Sequence, residues 1–585
     1  MKTLEVLPRG LLILLLAASN SLAAAPWLFE SGGHVPDQQP LSVSGRHGAV
    51  ACESKICSQI GIDLLARGGN AVDAYVGTQL CVGVTGMHHS GLGGGGFSLI
   101  RDKNGSYTVI DFREAAPAAA HQDMYQGNVI GSIFGGLAAA VPGELRGLEY
   151  AHKQFGRLPW KAVVHPSAYV ARNGFPVTED TVRYMENGIK YAGRNFLVED
   201  ASWAMDFAPN GKLVEFGDIM TRRRYADTLD AVADGGADVF YTGGIANATI
   251  TAIQATNGTM TLDDLAEYKA LVRRPLSVSY RGHRLFSSGA PSSGSVCLST
   301  LKTMDGYDVE DTQDKNLTLH RFDEAMRFAY AAHQQLGDPE FVDTHSIEAL
   351  EDLMLSPSGA AATRKHISDK TTHPVGYYLT HPHDFPEVYI PDSHGTSHIV
   401  TADADGMAVS STTTVNLLYG NLIMVPETGV ILNNEMNDFS IPGVPNEFGY
   451  APSPANFIRA GKRPMSSITP VIVEYPNGTL YVTVGAAGGS RIISSTTQVA
   501  WRVLEHGMDM EHAIREPRIH DQLMPDIAQF EVTFDNATVA SMSEKGHNVT
   551  WVREGVSAVQ GIRVAQGVFE AVGETRQKNS GGLTV

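Results

Sequence analysis

A mixed α and β fold is what the sequence predicts, and three observations carry it. Two stretches rich in β-forming residues fold back on tight-turn dipeptides: 396–402 and 407–415 around Asp405-Gly406, and 469–475 and 480–484 around Asn477-Gly478. Between and around them run apolar-periodic stretches of helical length, most clearly 317–336 and 491–506. The 585 residues with 43% hydrophobic content suit several globular domains or one large one. A net charge of −19 argues against nucleic acid as a partner, because phosphate binding needs basic surface.

Taken in order, residues 1–25 read as a secretory signal peptide. Lys2 and Arg9 precede an apolar run at 11–18 and the small residues Ser21-Leu22-Ala23-Ala24-Ala25. The apolar core is shorter than the roughly 20 residues that span a bilayer, which favours cleavage over retention as an anchor. Seven Asn-x-Ser/Thr sequons, at Asn104, Asn247, Asn257, Asn316, Asn477, Asn536 and Asn548, fit the same secretory route. Residues 26–47 are aperiodic and read as an arm. Two helices follow, 54–67 and 71–84, joined at Gly68-Gly69, and Cys57 and Cys81 on them could meet across the helical hairpin. Cys52 and Cys297 read as buried thiols, and four cysteines make no disulfide scaffold.

The glycine run at 93–96 follows a helix and precedes a strand, the reverse of a dinucleotide fingerprint, and it lacks the Lys-Ser/Thr of a phosphate loop. Close backbone packing is its better reading. A strand at 107–112 ends in Arg113-Glu114, where a guanidinium can fork onto a carboxylate. Helices are predicted at 142–155, 160–173, 178–193 and 218–235, another opens at Thr261 with a capping signal, and strands occupy 275–287. From 356 to 391 the chain is polar and poorly periodic and reads as a mobile tail. His381, His383 and Asp384, like His88-His89, resemble metal ligands only superficially, and no metal is expected. Gly488-Gly489 just before the helix at 491–506 would offer backbone N–H groups at a helix N-terminus, where negative charge is favoured. An alternating stretch at 528–534 and a helix near 537–545 come last.

The chemistry gathers at Gly395-Thr396. A threonine becomes a nucleophile when a base sits beside it, and the simplest base is its own α-amine, released by cutting the preceding bond. Such an amine titrates at about 7.7–8.0 and is partly neutral near neutral pH. A two-residue turn at Asp405-Gly406 would set Thr396 opposite Val415 and beside Thr414, a second hydroxyl.

His394-Gly395-Thr396-Ser397-His398, Asn433-Asn434-Glu435-Met436-Asn437-Asp438-Phe439, Lys462-Arg463-Pro464-Met465-Ser466-Ser467 and Gly485-Ala486-Ala487-Gly488-Gly489 together resemble the γ-glutamyltransferases (glutathione hydrolases), which are N-terminal nucleophile hydrolases. The likeness runs from about Gly48 to the C-terminus. It implies a four-layer αββα sandwich of the α+β class, self-cleaved between Gly395 and Thr396 into a large subunit, 26–395, and a small subunit, 396–585, that stay together as a heterodimer. Thr396 would be the nucleophile and Thr414 its hydrogen-bonding neighbour. Gly488 and Gly489 would hold the oxyanion. Arg113, Ser466 and Ser467 would bind the substrate α-carboxylate, and Glu435, Asp438 and Asn416 its α-amine. A Cys57–Cys81 disulfide is implied, with no cofactor. The substrates would be glutathione and other γ-glutamyl compounds, and the acceptors water, amino acids or dipeptides. Asn437 stands where many relatives have Asp, and Ser490-Arg491 departs from the usual wording after the glycine pair. Two other readings share the pattern in part: an amidase or acylase of the same fold, and an unprocessed binding protein.

Overall fold

The computed structural model describes residues 42–308, 314–379, 395–446 and 451–585. The signal peptide and the histidines at 381 and 383 fall outside these residues.

Two seven-stranded sheets form the centre. The first runs, in spatial order, Gly581–Thr584, Gly48–Cys52, Gly395–Asp403, Ala408–Asn416, Gly95–Arg101, Tyr107–Asp111 and Leu271–Arg273. The second runs Ser42–Gly45, Val568–Val572, Ala558–Ala565, Leu480–Ala487, Val471–Glu474, His283–Ser288 and Pro275–Tyr280. Small and aliphatic side chains, among them Ala51, Leu99, Val400 and Ala408 from the first sheet and Ile472, Ile562 and Ala571 from the second, pack face to face between them. The outer face of the first sheet carries helices Lys55–Ala66, Ala71–Thr85 and Trp160–Asn173 over one large core. The outer face of the second carries Gly294–Met304, Lys315–His333 and Arg491–His506 over another. The result is the four-layer αββα arrangement. Strands buried on both faces explain why 395–403 and 408–416 are buried at every position rather than alternately.

Local rules account for most boundaries. Asn70 caps the second helix through a capping box with Asp73, and Thr261 does the same with Asp264. The disulfide joins Cys57 to Cys81 across the first two helices, while Cys52 and Cys297 are free and buried. Burial pushes both free thiols up to about 12, so they stay protonated. The glycine run does pack closely: a Cβ at Gly93, Gly94 or Gly96 would lie 2.0 Å from the carbonyl oxygen of Ile431, Thr414 or Thr412.

Three expectations are corrected. The turn of the first hairpin is not the two-residue Asp405-Gly406 loop. Asp403 Oδ1 accepts from the N–H groups of Asp405 and Met407, Gly406 takes φ +83°, and three residues form the loop. The register therefore shifts by one, and Thr396 faces Thr414 directly. The helix expected at 218–235 begins only at Arg223, because Ile219–Met220 pairs with Phe175–Pro176. The stretch read as an aperiodic tail contains the helix Pro357–His366, started by Ser356 accepting from Gly359 N with proline in the first turn.

Candidate active site

Thr396 sits on a central strand, 7% exposed, one residue after a bulge at Gly395. Residue 395 has to be glycine here, since a Cβ would lie 2.5 Å from the Leu417 carbonyl oxygen. The Thr414 hydroxyl donates to the Gly395 carbonyl oxygen at 2.5 Å and accepts from Asn416 N at 2.8 Å. Its single hydrogen is thus committed to Gly395, so the 3.1 Å contact between the two threonine hydroxyls has Thr396 as donor. The Gly395 carbonyl, Thr414 and Thr396 form one directed chain of hydrogen bonds.

Behind Thr396 lies a network that sequence reasoning did not find. Ser397 Oγ donates to Glu53 Oε1 at 2.7 Å, and His89 Nδ1 meets Glu53 Oε2 at 2.7 Å. All three are buried and come from separate elements. His89 is thereby held by a carboxylate, and His88 stacks on Tyr184 with ring centroids 4.4 Å apart. Among the described residues, two overlapping buried clusters, His320–Glu324–His547 and Asp323–Asp521–His547, have ligand atoms close enough for an ion. Neither contributes a residue to the cleft described next.

In front of Thr396 opens a cleft of about 710 Å³, its mouth included, lined by Arg113, Thr414, Asn416, Glu435, Asp438, Ser466, Ser467 and Gly489. Nine of the ten catalytic and substrate-binding candidates therefore share one cavity; Gly488 lines an adjoining one. Asn433 and Asn434 position the turn Glu435–Asp438. Asn433 donates to the carbonyls of Gly93 and Ala140 and accepts from Glu435 N, and Asn434 accepts from Leu417 N. Asn416 takes φ +75°, a conformation asparagine tolerates better than most residues, and its amide donates to Asn434 O. Gly488 and Gly489, at φ +132° and +58°, make the bend into helix Arg491–His506.

The charges in the cleft are strongly coupled. The Arg113 guanidinium grips Glu435 with one Nη and Asp438 with the other, and donates to Met465 O at 3.1 Å. Its fork is thus closed on the two acids rather than standing open. Burial works against the Arg113 cation, but Glu435 and Asp438 overcome this and hold its pKa above the ordinary range. Burial raises Glu435 and Asp438 against the pull of Arg113. Glu114, 3.9 Å from Arg113 with neither oxygen hydrogen-bonded, is pushed by burial up to about 8 and is mostly protonated at neutral pH. The cleft therefore offers both signs of charge within one small volume beside the Thr396 hydroxyl.

Comparison with known proteins fits this geometry. The family model for gamma-glutamyltranspeptidase matches residues 57–583. The chain is 49% identical, over 97% of its length and all of the relative's, to the glutathione hydrolase proenzyme of Arthroderma benhamiae. It is 44% identical to the glutathione hydrolase of Aspergillus flavus, covering 92% of this chain and 89% of that one. Among solved structures, cephalosporin acylase from Bacillus halodurans shares the fold, with a TM-score of 0.80 at 23% identity over 95% of this chain and 99% of that one. The gamma-glutamyltranspeptidase of Helicobacter pylori superimposes with a TM-score of 0.51 at 31% identity over 55% of this chain and 91% of that one. A cleft pairing a strand-borne threonine with Arg113, Glu435 and Asp438, on an αββα frame matched along nearly its whole length, means that the chain belongs to the gamma-glutamyltranspeptidase family.

Proposed function

We propose that the chain is a γ-glutamyltransferase and glutathione hydrolase whose nucleophile is Thr396, made available by cleavage of its own Gly395–Thr396 bond. The observation that supports this best is the directed chain from Thr396 through Thr414 to the Gly395 carbonyl. In maturation, Thr396 Oγ bonds to the Gly395 carbonyl carbon while the Thr414 hydroxyl, 2.5 Å from its oxygen, stabilises the developing negative charge. The Thr396 hydroxyl, oriented by donating to Thr414, gives up its proton in this step, and that proton goes to the leaving nitrogen of residue 396. The C–N bond then breaks, and water opens the ester to leave a free Thr396 amine and a Gly395 carboxylate.

In turnover the freed amine is the base. Thr396 Oγ attacks the γ-acyl carbon of glutathione, the amine carries its proton to the departing cysteinylglycine nitrogen, and a γ-glutamyl ester remains on Thr396. Water, an amino acid or a dipeptide then takes the acyl group. Gly488 and Gly489 N–H groups hold the oxyanion. Glu435, Asp438 and Asn416 receive the α-ammonium. Arg113, with Ser466 and Ser467, receives the α-carboxylate, for which its fork, already engaged by the two acids, has to be shared. The two fragments remain together as a heterodimer. Six of the seven sequon asparagines are exposed and Asn316 is half-buried, which suits passage through a glycosylating secretory route; no described helix is long and apolar enough to cross a membrane.

The test is a denaturing gel of the deglycosylated protein beside a Thr396→Ala variant, with N-terminal sequencing of the smaller band and a γ-glutamyl-release assay. A fragment beginning at Thr396, seen only in the wild type and accompanied by release, is the expected result. An uncut wild-type chain would remove the maturation claim.

A further inference from the structure

Asp323 is completely buried, and neither of its carboxylate oxygens takes part in a hydrogen bond. Beside it stand Asp521 and His547, also buried, and the ligand atoms of the three lie within 4.8 Å of one another. We propose that Asp323, Asp521 and His547 form a binding site for one divalent transition-metal ion, with Zn²⁺ the best match, and that the ion fastens the helix Lys315–His333 to the C-terminal part of the chain. None of the three lines either cavity at Thr396, so this site goes beyond the γ-glutamyltransferase reading and stands without it.

Hydrogen bonds fix the tautomer of the ligating histidine. His320 Nε2 lies 2.7 Å from the Ser368 carbonyl oxygen, which only accepts, so that nitrogen carries a hydrogen. Both rings are buried, which disfavours the imidazolium form, and His320 Nδ1 is then a lone pair. It lies 2.8 Å from His547 Nε2, which donates to it. His547 Nδ1 is left as a lone pair, and it stands 3.1 Å from Asp323 Oδ2. Two electron-rich atoms thus face each other out of reach of water. No hydrogen bond joins them even at this distance, so the oxygen lies off the axis of the nitrogen lone pair. A shared proton would sit on that axis. Ligands of a metal ion instead stand side by side: with Zn–N and Zn–O lengths of about 2.0–2.2 Å, tetrahedral neighbours are about 3.3 Å apart. His320 holds the ring and tautomer of His547, as an outer hydrogen-bond partner does for a metal-bound histidine.

Charge points the same way. Arg327 pairs with Asp521 at 2.7 Å and with Asp526 at 2.8 Å and makes no hydrogen bond to Asp323. Three aspartates against one guanidinium leave an excess of negative charge that burial makes costly and a divalent ion cancels. Asp521 accepts from Leu523 N at 2.7 Å and from Arg327, which sets its orientation while each oxygen keeps a second lone pair. The overlapping trio His320–Glu324–His547 is the weaker candidate. Both nitrogens of His320 are in use, and Glu324 accepts from the Thr372 and Tyr378 hydroxyls at 2.6 and 2.8 Å. One imidazole with two carboxylates suits a zinc-like ion better than Ca²⁺ or Mg²⁺, which take shells of oxygen. Asp323 precedes position 395 and the other two ligands follow it, so the ion would bridge the two fragments of the proposed cut.

The experiment uses the purified full-length protein, dialysed against a chelator and then returned to chelator-free buffer. Zn²⁺ is titrated in by calorimetry, bound metal is counted by elemental mass spectrometry after gel filtration, and thermal melts are recorded with and without the ion. The wild type should retain one Zn²⁺ per chain through gel filtration, and saturation should raise Tm by roughly 2–4 °C for a chain of this size. Asp323→Asn should weaken binding by more than about a hundredfold. His320→Phe, which removes the acceptor that fixes His547, should weaken it by roughly ten- to a hundredfold. Circular dichroism and gel filtration report whether each variant is folded; should neither fold, the stoichiometry and melts of the wild type decide alone. A wild type that retains no Zn²⁺, or binds it no more tightly than a folded Asp323→Asn, overturns the site. Uptake of Ca²⁺ or Mg²⁺ in preference to Zn²⁺ overturns the assignment of the ion.

Discussion

The two sides of the cleft are built on opposite plans. The Thr396 side is made of uncharged hydroxyls on adjacent strands in the middle of a sheet: Thr396, Thr414 and, behind them, Ser397. The recognition side is made of buried charges delivered by a strand end and a short turn: Arg113, Glu435 and Asp438. Hydroxyls tolerate burial when hydrogen-bonded, so Thr396 can be held on a central strand buried at every position. Buried charges need partners, and in the cleft they partner one another. Position is thus supplied by the sheet and ligand selectivity by the loops.

This contrast can be broken from either side. The largest effect is expected at the nucleophile. Thr396→Ala should leave one uncut chain and lower γ-glutamyl release by roughly 10⁴-fold or more, read by gel and by release kinetics. Next comes the strand neighbour. Thr414→Val removes the donor to the Gly395 carbonyl and should slow self-cleavage by about 10²–10³-fold, the scale of one oxyanion donor, while Thr414→Ser should restore most of it. On the recognition side, Asp438→Asn should raise the KM for a γ-glutamyl donor by roughly ten- to a hundredfold, the scale of a hydrogen bond to a charged group, with self-cleavage unaffected. If Asp438→Asn instead blocked cutting, the two sides would not be separable.

The smallest effect is a slope. Glu114 ordinarily titrates near 4.5 and is raised by burial to about 8 in the fold. Between those values the native state binds more protons than the unfolded one, so stability falls as pH rises. The contribution is complete below about 4.5 and is lost as pH climbs through about 8. Glu114→Gln should therefore show a shallower fall in Tm across pH 5–8 than the wild type, measured by thermal melts. An identical slope would mean that Glu114 does not carry this proton.

Much of the site was legible because its chemistry is local. That holds for Thr396 and Thr414, which are on one hairpin; Glu435, Asp438 and the serine pair were named only through the family resemblance, and the fold brings them to the same cleft. The register was misjudged by one residue because loop length is set by the Asp403 side chain reaching Asp405 and Met407, which a turn dipeptide does not reveal. Glu53, His89 and Ser397 stayed invisible because their contact joins parts of the sequence that only the fold brings together. Likewise, nothing in the motifs told that Arg113 would close on the two acids. That follows from burying three charges in one small volume, a property of packing.

The order of strands in the two sheets has one more consequence. In the first sheet, Gly395–Asp403 lies between Gly48–Cys52 and Ala408–Asn416, and Ala408–Asn416 in turn pairs with Gly95–Arg101. In the second, Val471–Glu474 pairs with His283–Ser288. Residues before and after position 395 are shuffled through both sheets like two hands with fingers interlaced. A nick there frees no strand, and neither piece retains a whole sheet alone. Opening the backbone after folding would cost little, whereas the same two pieces made separately would have to thread a shared lattice of pairings to find each other. A cut at this bond would in this sense be a record that folding came first.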